Sequence, residues 1–265
     1  MKGIINYYDR YNEAARLTTD HARRLEFITT THFLDTYLKG DSQILDLGAG
    51  AGIYTFYYAQ KGHTVISTDL TPKHVEIISQ RASDEGYANI TAAMADATDL
   101  SRYPDESFDA VLCLGPLYHL TDIPDQDTCI RECLRVLRPG GLLAAAYVNR
   151  LFIYPHLVKS DPGFLDTRWI QTILEEKQIS STEADCFWTD AFFHTPGEIE
   201  ALIEAYGTQK LVHAASDGIS ILLRETLNGL TTEQFNIWVD YHLRTCTEPS
   251  ILGMSNHGLY LCRKT

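Results

Sequence analysis

The chain has 265 residues, 45% of them hydrophobic, and its 35 Asp and Glu side chains against 22 Lys and Arg leave a formal charge of −13. This length allows one large domain. The acidic balance argues against nucleic acid as a partner, because affinity for nucleic acid rests on Lys and Arg side chains meeting phosphates. The longest apolar stretch, residues 142–148, is far too short to span a bilayer, so we expect no membrane partner.

The cysteines indicate a reducing compartment. The chain has six of them, scattered with no repeating spacing: Cys113, Cys129, Cys133, Cys186, Cys246 and Cys262. The first residues, "MKGIINYYDRYNE", become polar too early for a signal peptide. We therefore expect a cytoplasmic protein with free thiols.

The first 39 residues mix charged and apolar positions in a way that is typical of helices. From residue 40 to 149 the pattern alternates between short apolar runs and helix-length segments. The apolar runs predict strands at residues 43–48, 64–69, 90–95, 108–115 and 142–148. Such runs are typical of strands that are buried on both faces of a sheet.

Start and stop signals mark the helices between these strands. In the segment 71–86, Thr71 predicts the cap, Pro72 suits the first helical position, and Gly86 closes the end. A second helix is predicted over 122–138, where "RPGG" ends it. Strands separated by helices imply a parallel sheet with helices on each side.

The rest of the chain interrupts this pattern twice. Residues 150–195 are irregular and aromatic, and residues 219–254 contain one further helix; the three tryptophans lie in these two segments. Between them, Thr195 and Glu198 predict a capping box and a helix, followed by a strand at 209–216. A last strand is predicted at 258–264. We expect an N-terminal helical segment (1–39), a sheet core (40–149, 196–218 and 255–265) and a cap made of the two insertions (150–195 and 219–254).

The stretch "ILDLGAGAGIYTFYYAQKGHTVISTD", residues 44–69, places a glycine loop between the first strand and the first helix. Ligands bind at this edge of such sheets, and glycine lets the backbone turn sharply beside them. A phosphate loop is excluded because no Gly-Lys-Ser/Thr follows. A dinucleotide fingerprint is disfavoured because Ile53 stands where its third glycine belongs. Asp46, just before the loop, would repel a pyrophosphate but would favour a ligand with an ammonium group.

The segment Asp46 to Gly52 resembles the first motif of class I S-adenosylmethionine-dependent methyltransferases, whose loop has the form E/D-x-G-x-G-x-G. The resemblance covers about residues 40–149 and extends to the loops after the next strands. It implies that Asp69 binds the ribose hydroxyls and that Asp96 and Ala97 lie beside the adenine. The donor-binding residues that it predicts are Asp46, Gly48, Ala49, Gly50, Gly52, Asp69, Leu70, Asp96, Ala97, Leu114 and Tyr8.

The same resemblance implies a fold and a methyl donor. The fold is α/β, a doubly wound, mostly parallel seven-stranded sheet with a helical and aromatic cap. The donor is S-adenosyl-L-methionine, and the product is S-adenosyl-L-homocysteine. No metal is predicted, because His242 and Cys246, one helical turn apart, have no second pair with matching spacing.

The segment "LGPLYHL" follows the fourth strand, where the methyl group is delivered in this family. We predict His119 as a base for the acceptor's proton and Tyr118 as part of the acceptor site. A histidine at such a position also often only binds the neighbouring backbone. Methyltransferases of adenine and glutamine amides carry Asn/Asp-Pro-Pro-Tyr/Phe here, and this chain departs from that motif.

Two segments outside the motifs are further candidates. Tyr7, Tyr8 and Tyr11 lie close in sequence to Arg10 and Arg16; in the family such leading segments often close over the donor and bind its carboxylate. Ordinary helix packing is the alternative. Asn256 and His257, just before the last strand, are candidates for polar contacts with the acceptor.

The predicted function is therefore methyl transfer from S-adenosylmethionine to a small-molecule acceptor, since the aromatic insertions favour an enclosed site. The alternatives are a methyltransferase that acts on a protein or RNA partner and a non-catalytic adenosine-binding module. A nicotinamide oxidoreductase is disfavoured by Ile53.

Overall fold

The computed structural model describes residues 2–11, 13 and 16–265. In these ranges the strands are β1 Gln43–Leu47, β2 Thr64–Asp69, β3 Ile90–Met94, β4 Phe108–Cys113, β5 Leu137–Asn149, β6 Gln178–Ile179, β7 Ala191–His194, β8 Gln209–Ala215 and β9 His257–Arg263. The α-helices are α1 Lys2–Arg10, α2 His21–Tyr37, α3 Ile53–Gln60, α4 Pro72–Asp84, α5 Ile123–Val136, α6 Arg150–Ser160, α7 Thr167–Ile170, α8 Pro196–Glu204, α9 Arg224–Asn228, α10 Thr232–Thr245 and α11 Pro249–Leu252. Short 3₁₀ helices cover Pro116–Tyr118, Pro162–Phe164 and Gly218–Ile221, and a π-helix covers Gln171–Glu176.

The main sheet confirms the predicted α/β fold. Its strands follow the order β3, β2, β1, β4, β5, β9, β8; the first five are parallel, and β9 runs antiparallel to both of its neighbours. Because β9 is antiparallel, it begins at the edge where the parallel strands end. His257, its first residue, pairs with Val148 near the end of β5.

Two short strands were not predicted. In β7, Phe193 and His194 pair in parallel with Val148 and Asn149 at the end of β5, and β6 pairs with β7. Residues 191–194 therefore extend the sheet, although their segment was predicted as cap. With four residues, β7 is too short to give an alternating pattern.

The capping residues in the sequence predict the starts of α4 and α8 correctly. The helix α4 starts at Pro72 after Thr71, and Gly86 has the positive φ of 75° that favours glycine at a helix end. Both Thr195 and Thr231 form capping boxes, at α8 and α10. The largest difference in a boundary is at β5, which begins directly after α5 at Leu137, five residues before its prediction. The "RPGG" segment continues as extended backbone with a turn at Gly140 (φ 76°).

The core lies on both faces of the main sheet. One face packs against α5 and α8 through residues such as Ile130 and Ile199, and the other packs against α3 through Tyr54 and Tyr58. The strands end at a common edge, where α1, α2 and α6 contribute to the cavities described below. Within the described ranges, no helix is both long enough and apolar enough to cross a membrane.

Candidate functional site

The glycine loop after β1 has the backbone that its sequence predicts. Gly48 and Gly50 have φ values of 71° and 56°, in the left-handed region that side chains with a Cβ disfavour. A Cβ on Gly48 would lie 2.9 Å from Cδ of Pro116. A Cβ on Gly50 would lie 2.9 Å from Cγ of Glu13, so side chains from two other segments approach the loop closely.

Asp69, at the end of β2, holds this loop in place through hydrogen bonds to its carboxylate. Its Oδ2 accepts a hydrogen bond from the Gly50 amide at 2.8 Å, and its Oδ1 accepts one from the Thr71 amide at 2.7 Å. The residue is 7% exposed. Each carboxylate oxygen has two lone pairs, so Asp69 retains acceptor capacity for a ligand while it orders the loop.

Two further carboxyl groups lie near the loop. Asp46, 2% exposed, accepts a hydrogen bond from the Thr55 hydroxyl at 2.6 Å. Burial, with a smaller contribution from the nearby Asp69, raises the pKa of Asp46 to about 7, although the hydrogen bond from Thr55 acts in the opposite direction. Asp96, after β3, accepts from the Thr98 amide and hydroxyl at 2.9 and 2.8 Å, which fixes its side chain.

These residues line one cavity of about 560 Å³, which we call the donor cavity. All the predicted donor-binding residues line it except Gly52. Gly52 instead precedes α3 with φ 83°, and a Cβ there would lie 2.9 Å from Cγ1 of Ile78. Its glycine is required by helix packing at that position, and the structure does not bring it to the cavity.

His119 lies in the donor cavity with both ring nitrogens bonded. Nδ1 lies 2.9 Å from the Asp190 carbonyl oxygen, which only accepts, so Nδ1 carries the proton. Nε2 then accepts a hydrogen bond from the Tyr8 hydroxyl at 2.9 Å. Burial lowers the pKa of His119 to about 4, so the imidazole is neutral at physiological pH.

A second cavity of about 310 Å³ adjoins the donor cavity, and we call it the acceptor cavity. Both cavities are lined by Tyr8, Glu13, Arg16 and Tyr118, which form the wall between them. The aromatic residues that line the acceptor cavity are Tyr7, Tyr8, Tyr11, Tyr118, Phe187 and Trp188. Tyr118 is 6% exposed and tilts against Trp188 with ring centroids 5.8 Å apart, and burial raises its pKa.

Arg16 in this wall is held by two carboxylates. Its guanidinium donates to Glu13 Oε1 at 2.8 Å and to the two oxygens of Glu26 at 2.7 and 2.9 Å. Burial alone would raise the pKa of Glu26, but Arg16 and then His257 lower it to about 2. Arg16 therefore pairs with protein carboxylates, whereas the family resemblance had suggested the donor's carboxylate for this arginine.

The acceptor cavity is also lined by the pair Asp217 and His257, of which sequence analysis identified only His257. His257 Nδ1 lies 2.9 Å from Asp217 Oδ2, and Asp217 is 1% exposed. The other oxygen of Asp217 accepts from the backbone amides of Asn256 and His257 and from the Ser255 hydroxyl. Only the sequence position of His257 pointed to this site; nothing in the pattern around Asp217 or Glu26 distinguished them from ordinary loop and helix residues.

Two cysteine or histidine groups do not extend the site. Cys113, Cys129 and Cys133 bring their thiols together between β4 and α5, where all three are buried in the core and line neither cavity. His242 and Cys246, one turn apart on α10, have separate partners: His242 Nε2 binds the Thr29 hydroxyl and Cys246 donates to the Leu243 carbonyl.

Part of the chain is similar in sequence to known methyltransferases. Residues 45–145 match the model of a methyltransferase domain. The chain is 31% identical over 159 residues to the methyltransferase GfsG of Streptomyces halstedii, across 53% of this chain and 56% of the relative. It is 32% identical over 108 residues to a ubiquinone biosynthesis O-methyltransferase of Paracidovorax citrulli, across 41% of this chain and 44% of the relative. This chain thus spans about half the length of the curated relatives it matches.

The fold is shared over almost the whole chain with a solved structure. The N-methyltransferase NodS of Bradyrhizobium japonicum, determined in complex with S-adenosyl-L-homocysteine, superposes with a TM-score of 0.60. The likeness covers 99% of this chain and 98% of NodS at 15% identity. At that identity the comparison establishes the fold, and the chemistry must be argued from the residues of this chain.

Proposed function

We propose that this chain, whose residues 45–145 form a class I methyltransferase domain, transfers the methyl group of S-adenosylmethionine to a small-molecule acceptor. The observation that carries this proposal is the donor cavity. It brings the glycine loop, Asp69 after β2 and Asp96 after β3 together in one space of about 560 Å³. The adjoining acceptor cavity, of about 310 Å³ and lined by six aromatic side chains, supports a small molecule over a macromolecule.

The residues of the donor cavity fit the proposed ligand. Gly48 and Gly50 line the cavity with backbone alone. Asp69 has spare acceptor capacity for ribose hydroxyls, and the Asp46 carboxyl suits an ammonium group. The bound donor supplies a methyl group on a positively charged sulfur that a nucleophile can displace. The chain's own contribution is to bind donor and acceptor side by side and to align them, which can lower a barrier by several kcal/mol.

One experiment tests the proposal directly. The purified protein is incubated with S-adenosylmethionine labelled in the methyl group and with small-molecule, protein and RNA fractions of the host extract. We expect the label in a small molecule. Label in a protein or RNA fraction would establish the alternative acceptor class, and donor binding without any transfer would establish a non-catalytic adenosine-binding module.

We expect S-adenosylmethionine and S-adenosylhomocysteine to raise the melting temperature, because a ligand that binds only the native state stabilises it by mass action. At a concentration of 100 times Kd the gain is about 2.7 kcal/mol. NAD and NADP serve as controls that also contain adenosine but have a pyrophosphate, which Asp46 repels. A clear shift with NAD and none with the two sulfur compounds would contradict the assignment.

Donor binding should also release a proton from Asp46. Because burial raises the pKa of Asp46 to about 7, part of this carboxyl is protonated near neutral pH, and an ammonium group beside it favours the charged form. The affinity for S-adenosylmethionine should therefore fall as pH drops below about 7, approaching tenfold per pH unit. Calorimetry in buffers of different ionisation enthalpy measures the released proton. Adenosine, which lacks the ammonium group, is the matched control, and equal release with both ligands would refute the role of Asp46.

His119 and Tyr118 line the donor cavity, and their catalytic role stays a prediction that the pH dependence of turnover can test. If an imidazole with its ordinary pKa is the base, turnover should fall as pH drops below about 6.5; we call this fall the acid limb of the pH profile. With the pKa of His119 lowered to about 4, a limb that belongs to His119 lies near pH 4 instead. The pH dependence of turnover thus separates His119 from any other histidine near the acceptor.

A further inference from the structure

We propose that His257, positioned by Asp217, is the base that takes the acceptor's proton, and that the acceptor binds in the cavity which this pair lines. This inference rests on the proposed methyl transfer and adds to it a base and a class of acceptor. It concerns a different cavity wall from the one that carries His119.

The hydrogen bonds of His257 leave the correct nitrogen available. Nδ1 lies 2.9 Å from Asp217 Oδ2, 3.2 Å from Asn256 Nδ2 and 3.5 Å from Glu26 Oε2. The nearest of these atoms belongs to a carboxylate, which only accepts, so Nδ1 carries the proton. In the neutral ring, Nε2 then has the free lone pair. Among the described residues, Nε2 has no hydrogen-bond partner. A carboxylate that orients an imidazole through Nδ1 and leaves Nε2 for a substrate is the arrangement of a general base.

The sheet places this pair beside the reaction. His257 pairs with Val148, so it lies at the edge where the parallel strands end, two strands from β4 and its Leu114–His119 segment. Strands in a sheet are about 4.8 Å apart, which puts His257 about 10 Å across the sheet from the end of β4. The two cavities meet at the residues that line both of them, Tyr8, Glu13, Arg16 and Tyr118. We infer that an acceptor in the second cavity reaches the donor at this junction.

In His119, by contrast, both ring nitrogens already have a hydrogen-bond partner. Its Nδ1 binds the Asp190 carbonyl and its Nε2 already accepts from Tyr8. A base whose pKa lies near the working pH is the most effective, and His119, with a pKa of about 4, is a weak one.

The charges that face His257 come from four segments. Asp217 and Glu26 raise its pKa, and Arg16 opposes them; His156 on α6 also interacts with it. Burial is the largest single influence and lowers the pKa, but the carboxylates outweigh it, and the pKa of His257 lies above its ordinary 6.5. Turnover should therefore fall as pH drops through that value, because a protonated Nε2 cannot accept a proton.

The lining of the acceptor cavity indicates the class of acceptor. Its lining includes aromatic rings and aliphatic side chains such as Val148 and Leu157, together with charged side chains such as Arg23 and Arg224. The neighbouring residues Asn256, His257 and Asp217 form a polar group that we call the polar end. Asn256, 8% exposed, has a side-chain oxygen without a hydrogen-bond partner in the described ranges. Buried polar atoms are normally paired, so a donor group on the ligand fits here. We infer an acceptor with an apolar, ring-bearing body and a hydroxyl group at the polar end.

The proton and electron balance is simple for such an acceptor. The hydroxyl oxygen forms a bond to the methyl carbon, the bond between that carbon and sulfur breaks, and its electron pair stays on sulfur. The hydroxyl proton ends on Nε2 of His257 and is later returned to solvent. Asp217 keeps its charge and stabilises the imidazolium that forms.

The test compares four proteins: wild type, His257→Asn, His119→Asn and His32→Asn. Asparagine at 257 retains a donor for Asp217 and removes Nε2; His32, exposed on α2, is the matched control outside both cavities. The acceptor is the compound that takes the label from extract. We expect His257→Asn to lower kcat by about 10²-fold or more and to remove the acid limb above pH 6.5. The Kd for S-adenosylmethionine should stay within about twofold of wild type, since His257 does not line the donor cavity.

A second measurement does not depend on turnover. The titration of the His257 ring proton in NMR spectra, assigned by its loss in His257→Asn, should give a pKa above 6.5 that matches the limb. Asp217→Asn should shift both downward by about one unit or more, because an opposite charge beside the imidazole is lost. A merely structural Asp217 would change stability without moving the limb.

The outcomes separate the two proposals. A folded His257→Asn protein that keeps more than a tenth of wild-type kcat, or whose acid limb is unmoved, overturns the assignment of His257. Loss of turnover and of the limb in His119→Asn alone overturns it in favour of His119. A wild-type protein that binds donor but labels nothing overturns the proposed methyl transfer itself.

Discussion

Replacing Arg16 with Met is expected to lower the free energy of unfolding by about 3 kcal/mol at pH 7. Arg16 and Glu26 are largely buried, with side chains 22% and 12% exposed, and they share two hydrogen bonds. The substitution leaves Glu26 charged without its main partner, and breaking such a pair from one side costs far more than the pair contributes when intact. Breaking a buried pair from one side costs about 3–5 kcal/mol, and the lowering of the pKa of Glu26 from 4.5 to about 2, to which Arg16 contributes most, is of the same order.

The same pair makes this difference depend on pH with a defined sign. Because the folded-state pKa of Glu26 is depressed, its stabilisation is present above the unfolded pKa of 4.5 and is lost as pH falls from there through about 2. The gap between wild type and Arg16→Met should therefore shrink between pH 4.5 and 2. Urea unfolding at pH 7, 4 and 3 measures the gap directly.

The matched control is Arg244→Met. Arg244 pairs with Asp240 on the surface of α10, where the two side chains are 75% and 63% exposed. Exposed pairs of this kind contribute about 0.5 kcal/mol or less. An Arg16→Met effect as small as the control's, or one unchanged between pH 7 and pH 3, would show that the buried network does not stabilise the fold.

The strands were predictable because burial on both faces leaves continuous apolar runs in the sequence. The predicted run 64–69 coincides with β2, and the run 43–48 differs from β1 by one residue. The capping box of Thr195 was equally local. Such features depend on neighbours in sequence, and a sequence displays them.

The donor cavity was predictable for a related reason. Its residues stand at the ends of consecutive parallel strands, so their positions along the chain determine that they meet at one edge of the sheet. Gly52 shows the limit of that reasoning, since it belongs to the same motif but its conformation serves the packing of α3 against Ile78.

The acceptor cavity was predictable only in part, because it is assembled from distant segments: sequence analysis named residues such as Tyr118 and Asn256 but did not bring its segments together. Asp217 and His257 are 40 residues apart and meet through the antiparallel pairing of β8 with β9, in which Ala215 lies opposite Gly258. Glu26 reaches them from α2. Strand pairing and helix packing of this kind are tertiary effects that no local pattern records, so sequence analysis found His257 without its partners.

Replacing Asp69 with Ala is expected to weaken S-adenosylmethionine binding at least tenfold. A hydrogen bond to a charged group contributes about 1.5–3 kcal/mol, and a buried carboxylate that faces two ribose hydroxyls loses both bonds on truncation. The amides of Gly50 and Thr71 lose their acceptors as well, so the loop itself is affected. Calorimetry gives the affinity, and a melting curve shows whether the variant is folded.

Controls separate the charge from the loop. Asp69→Asn keeps the size of the side chain and one carbonyl oxygen but removes the charge, and we expect an affinity between wild type and Asp69→Ala. Asp84→Ala, an exposed carboxyl at the end of α4 that lines neither cavity, should leave the affinity unchanged.

A ligand change then completes a thermodynamic cycle between Asp69 and the ribose. S-adenosylhomocysteine and its analogue without the two ribose hydroxyls are each bound to wild type and to Asp69→Ala. If Asp69 binds the hydroxyls, the analogue binds wild type weakly. The substitution Asp69→Ala then lowers the affinity for the analogue far less than it lowers the affinity for S-adenosylhomocysteine. If Asp69 only orders the loop through Gly50, both ligands lose the same factor. Equal losses would assign Asp69 to the support of the loop, whereas a difference of tenfold or more would place its carboxylate on the ribose.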